Sequence, residues 1–170
     1  MFSLSFVLGV CAIIAGFAQA QTKPTTTESL QKQAPMTQHA RGQFGVKLIP
    51  QKPDNDVAQA ANLGRMSIDK QFHGDLEATS KGEMIAAQTE VKGSAGYVAM
   101  ERVSGTLKGR KGSFVLQHSA TMNRGVPELS ITVVPDSGTE ELNGLAGKMN
   151  IIITEGKHSY EFDYMLADKP

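Results

Sequence analysis

Apolar side chains at every second position are the feature that most narrows what this chain can become. They recur as Phe44, Val46, Leu48; as Met66, Ile68, Phe72, Leu76; as Leu129, Ile131, Val133; and as Met149, Ile151, Ile153. A period of two lays each row on one face of an extended strand, whereas a helix would scatter it around its circumference. No segment carries the helical period over a useful length, apart from a turn expected between Pro53 and Leu63. The chain therefore reads as all-β.

Glycine punctuates these rows. One device occurs three times, a Leu followed by two Gly (Ala allowed at the first) and then Phe or Met: LEATSKGEM from Leu76, LKGRKGSF from Leu107 and LNGLAGKM from Leu142. Each reads as a hairpin corner, with glycine supplying positive φ and the flanking apolar pair closing the core beneath it. A fourth corner, Glu155-Gly156, sets Ile153 opposite His158, Met149 opposite Phe162 and Lys148 opposite Asp163, which are favourable cross-strand pairs. The pattern predicts about eight strands in meander order, near residues 43–49, 65–77, 83–89, 97–107, 113–122, 129–135, 148–154 and 157–166. Eight strands suffice to close an antiparallel β-barrel whose interior holds packed side chains or one small ligand. A β-sandwich is the alternative.

The stretch GYVAMERVSGTLKGRKGSFVLQHSATM, residues 96–122, carries charge in the middle of two strands. With Gly109-Arg110-Lys111-Gly112 as the corner, Leu107 lies opposite Phe114, Val103 opposite His118 and Glu101 opposite Ala120. One face then holds Tyr97, Ala99, Glu101, Val103, Leu107, Phe114, Leu116 and His118, while Arg102 and Gln117 face water. Slipping the register by one residue would split Leu107 and Phe114 between faces. Glu101 and His118 become diagonal neighbours on the inner face, close enough to meet. A lone buried carboxylate is costly and a partner lowers that cost. Two readings follow: a hydrogen-bonded plug in a narrow barrel, or polar groups lining a ligand cavity with altered proton affinities. Lys70 interrupts an inward apolar row and either joins that pair or snorkels out at a rim. His158, Tyr160 and Tyr164 fall on the inward face of the last strand. The candidate lining residues are thus Glu101, His118, Tyr97, Lys70, Tyr160 and His158, with no catalytic residue assigned.

Other chemistry lacks carriers. His39, His73, His118 and His158 stand without metal spacing, and His73 sits on the outward polar row Arg65, Ser67, Asp69, Gln71, so no metal is expected. The single cysteine, Cys11, lies within residues 1–20 and no G-x-S-x-G occurs. The glycine corners precede no helix that could cradle a phosphate, and no cofactor is expected. Lys plus Arg equal Asp plus Glu at 17 each, so no global field draws nucleic acid or an anionic membrane.

Residues 1–20, MFSLSFVLGVCAIIAGFAQA, carry no charged side chain and end in Ala18-Gln19-Ala20, a small-x-small cleavage pattern. They read as a signal peptide cleaved near Ala20, leaving a secreted or periplasmic chain without cysteine and with no integral membrane association. Residues 21–40, rich in Thr, Gln, Lys and Pro, are expected to form a disordered leader, and residues 41–170 a single β-barrel domain.

The runs GRMSIDKQFHGDLEATSKGEM, GYVAMERVSGTLKGRKGSFVLQH and GLAGKMNIIITEGKHSYEFDY resemble a family of small, mostly bacterial proteins of unknown function. That family is similar in fold to allene oxide cyclase and, more distantly, to plant dirigent proteins. The resemblance covers residues 41–166 and implies an eight-stranded antiparallel barrel. Allene oxide cyclases hold an apolar epoxide inside the barrel, with a buried carboxylate assisting, a role the resemblance offers to Glu101. Fold does not fix function. Three readings stay open: a barrel binding a small apolar or amphipathic molecule, an isomerase or cyclase acting in the interior, and a packed structural module without ligand. Association with further copies of the chain is also left open.

Overall fold

Eight strands run up and down in chain order and close on themselves. The computed structural model describes residues 36–61 and 63–166. The expected signal peptide lies outside them, as does the expected leader up to residue 35. The strands are β1 (Gln38–Gln51), β2 (Gly64–Gly74), β3 (Leu76–Gln88), β4 (Ala95–Leu107), β5 (Arg110–Asn123), β6 (Val126–Val133), β7 (Ala146–Thr154) and β8 (Lys157–Met165). A short helix, α1 (Asp56–Ala61), sits between β1 and β2. Every neighbouring pair is antiparallel, and β1 pairs with β8 to complete the barrel. Closure removes the free edges that a sandwich would leave, so the barrel, not the sandwich, is the fold. It is the architecture implied by the resemblance to allene oxide cyclase.

Alternation dictates what fills it. The inner rows place Phe72, Leu76, Val103, Leu107, Phe114 and Phe162 in the core, each 1% exposed or less. Phe114 stacks on Phe162 at 5.8 Å between ring centroids, and Phe162 on Tyr164 at 5.3 Å. One barrel end is plugged by the β6–β7 connection, whose 3₁₀ turn at Glu140–Leu142 drives Leu142 and Leu145 inward. At that end the Tyr160 hydroxyl accepts a hydrogen bond from the Leu76 backbone N–H at 2.9 Å.

Several expected boundaries shift. LEATSKGEM is no corner: it lies inside β3, and the chain turns earlier, at Gly74-Asp75, where Gly74 has φ +109°. LNGLAGKM is not a tight hairpin: it starts at the last residue of a 3₁₀ turn, Leu142, and runs through a short loop into β7 at Ala146. Between β4 and β5 the turn is the two residues Lys108-Gly109, with φ +46° and +79°, a mirror-image turn that suits the strand twist. Leu107 therefore pairs with Arg110 instead of Phe114, an offset of four residues. Because the offset is even, every side chain keeps its expected face. The Glu155-Gly156 corner gives the expected pairs Ile153 with His158, Met149 with Phe162 and Lys148 with Asp163. β1 starts at Gln38 with Ala40 2% exposed, so residues 38–40 belong to the barrel and not to the leader.

Candidate functional site

Four neighbouring strands each contribute one polar side chain to the barrel interior. β2 supplies Lys70, β3 Ser80, β4 Glu101 and β5 His118, all buried, with Glu101 fully removed from solvent. Lys70 Nζ donates to Glu101 Oε2 at 2.7 Å, and the Ser80 hydroxyl donates to Oε1. His118 Nε2 lies 3.0 Å from Oε2 but without hydrogen-bond alignment. The Lys70 ammonium also sits 5.1 Å from the Phe44 ring centre and 5.7 Å from that of Phe72, where the ring faces favour a cation. Burial alone would push the Glu101 carboxyl up. The imidazole of His118, the Lys70 ammonium and the Ser80 hydroxyl more than reverse this and hold it at about 2. The carboxylate stays ionised.

Gly82 makes this placement fit. It pairs with Glu101 across β3 and β4, and a Cβ there would run into the Met100 carbonyl oxygen and stand 2.9 Å from Glu101 Cα. Contacts that close are sterically forbidden, so the backbone approach that seats Glu101 requires glycine.

Above the cluster the barrel opens. Inner-row burial falls toward the end formed by the C-termini of odd strands and the N-termini of even ones. In β5 it runs from Leu116 at 0% to Met122 at 41%, and in β7 from Met149 at 2% to Ile153 at 63%. A cavity of 230 Å³ lies in this mouth, walled by Ala86, Ala95, Tyr97, Ala120, Met122 and Leu129 among others. On the inner rows leading down to the cluster Gly82, Ala99 and Ala120 are small, while Met84, Ile68 and Ile131 beside them are large. Burial, and next the charge of Glu101, raise the Tyr97 phenol above its ordinary range.

Of the expected lining residues, Lys70, Glu101 and His118 converge, and Tyr97 stands in the mouth above them. Lys70 does not snorkel to a rim; its Nζ is held inside by Glu101. His158 packs its ring 5.2 Å from Phe44. Tyr160 stands apart, since its hydroxyl is committed to Leu76 at the plugged end. Ser80 was absent from the expected lining set because its segment read as a corner. Its signal was the inward parity it shares with Leu76 and Ala78. Arg102 and Gln117 are exposed, as the face assignment required. Among the described residues no three His, Cys, Asp or Glu side chains gather into a metal-binding group.

The family model DUF3224, described as protein of unknown function, matches residues 40–164. The chain belongs to the DUF3224 family. A crystal structure of a DUF3224 family protein of unknown function from Shewanella oneidensis MR-1 is 48% identical, covers 79% of this chain and 100% of that chain, and superposes with a TM-score of 0.72. No curated protein matches the chain. The DUF3224 match includes residues of all eight strands and all four cluster residues.

Proposed function

We propose that this DUF3224 chain is a secreted or periplasmic barrel that binds a small apolar or amphipathic molecule in its open mouth. The observation that carries the reading is the one-sided burial gradient: the interior is packed at one end and opens at the other into an apolar cavity above a buried polar cluster. Small-molecule sites combine these two parts, apolar walls and a few convergent polar groups. The cavity of 230 Å³ approaches the roughly 300 Å³ lower range of such sites, which favours a binder over a fully packed module. Proton-transfer catalysis is less well supported. A general base works best with a proton affinity near the working pH, and Glu101 is held far below it, at about 2. The leader ending in Ala18-Gln19-Ala20 supports export.

Native mass spectrometry of the protein purified from its own host tests the reading. A small molecule released on denaturation is expected, as is uptake of the neutral fluorophore N-phenylnaphthylamine that is lost when Ala120→Phe fills the mouth. A bare mass together with no uptake, or uptake indifferent to Ala120→Phe, overturns it.

A further inference from the structure

The charges beneath the mouth are balanced internally. Apart from Arg110 at the plugged end, whose Nε donates to the Glu141 carbonyl at 3.2 Å, the inner-row side chains of the eight strands that carry a full charge are Lys70 and Glu101, and they neutralise each other at 2.7 Å. The imidazoles of His118 and His158 also face in, besides the tyrosines. Glu128, at the cavity rim, belongs to the outward row and is exposed. Both oxygens of Glu101 are engaged, Oε1 by Ser80 and Oε2 by Lys70 with His118 beside it. Hydrogen-bonding capacity is nevertheless left over. His118 Nε2 lies 3.0 Å from Glu101 Oε2 without an aligned hydrogen bond, and the Lys70 ammonium uses one of its three donors on Glu101.

Resting on the binding reading above, we infer that the mouth takes a molecule with an uncharged polar head, an alcohol or a ketone on a short apolar body, and discriminates against the matching carboxylate and amine. A charged head entering between Ala86, Ala95, Tyr97, Ala120, Met122 and Leu129 gives up its water and meets no free countercharge. An uncharged hydroxyl or carbonyl needs only one or two hydrogen bonds, which His118 and Lys70 can supply.

Octanol, octanoate and octylamine share one chain and differ only in head, and titrating each into the full chain by calorimetry at about pH 8 decides the matter. Octanol should bind at least about tenfold more tightly than either charged analogue, because an unpaired charge buried in an apolar wall is penalised more heavily than an unpaired hydroxyl. In Glu101→Gln the Lys70 ammonium loses its countercharge, so octanoate should overtake octanol. Octanoate or octylamine binding the wild-type chain as tightly as octanol overturns the neutral-head inference while leaving the binding reading intact. None of the three binding, with no uptake of the neutral fluorophore, overturns the binding reading and this inference with it. If Glu101→Gln does not fold, as circular dichroism will report, the wild-type series decides alone.

Discussion

Replacing Glu101 by Gln keeps the shape of the side chain and removes its charge, leaving the Lys70 ammonium buried opposite a neutral amide. The size of the effect follows from the proton affinity of the carboxyl, held at about 2 against an ordinary value of 4.5. That difference, at roughly 1.4 kcal/mol per unit, means the folded barrel favours the ionised form by about 3 kcal/mol. Breaking a buried pair by removing one partner typically costs about 3–5 kcal/mol, the same range. Because the folded value is depressed, the stabilisation is fully present above about pH 4.5 and is lost as pH falls toward about 2. By about pH 3 some 2 kcal/mol of it should be gone. Urea unfolding followed by circular dichroism at about pH 7 and pH 3 measures this: Glu101→Gln should be about 3 kcal/mol less stable than wild type at the higher pH, with a much narrower gap at the lower. The double variant Glu101→Gln, Lys70→Met, which also removes the stranded cation, should recover part of the loss. A gap under about 0.5 kcal/mol at pH 7, or one unchanged between the two pH values, would refute the argument that a buried ion pair organises this interior.

Three further outcomes can be checked. Gly82→Ala should destabilise by several kcal/mol on the same urea assay, since its Cβ would collide with backbone of Met100 and Glu101, whereas Arg102→Ala on the exposed face of the neighbouring β4 should change stability by no more than about 0.5 kcal/mol. Limited proteolysis should trim the chain to the start of β1 near Gln38 and leave β1 to β8 intact; early cuts inside the strands would contradict the closed barrel. Intact mass of exported protein should begin at Gln21, and recovery of the uncleaved chain from medium or periplasm would remove the case for a signal peptide.

Much of the barrel is legible in single residues. The parity of Tyr97, Ala99, Glu101 and Val103 fixes which side chains face inward, and parity survives any even error in register. That is why Glu101 and His118 are inner-face neighbours in the structure although their strands are offset by four residues from the expected pairing. The Glu155-Gly156 turn also fixes its own hairpin, because a two-residue turn leaves one register. Local pattern cannot choose between two glycines that both suit a turn. Gly74 and Gly82 look alike in sequence, yet one turns the chain with positive φ and the other lies flat in a strand because Glu101 crowds it from the next one. Ser80 lies between these two glycines, so its inward face shows only once β3 is seen to run through Gly82. The ion pair itself was open to two readings for the same reason. An inward lysine two strands away from a carboxylate in a meander meets it only once the strands curve into a barrel and bring both tips over one point. Tertiary closure decided that Lys70 turns to Glu101 instead of to water. It also decided which end of the barrel opens, because the β6–β7 loop carries Leu142 and Leu145 into one end and, among the described residues, no connection does so at the other.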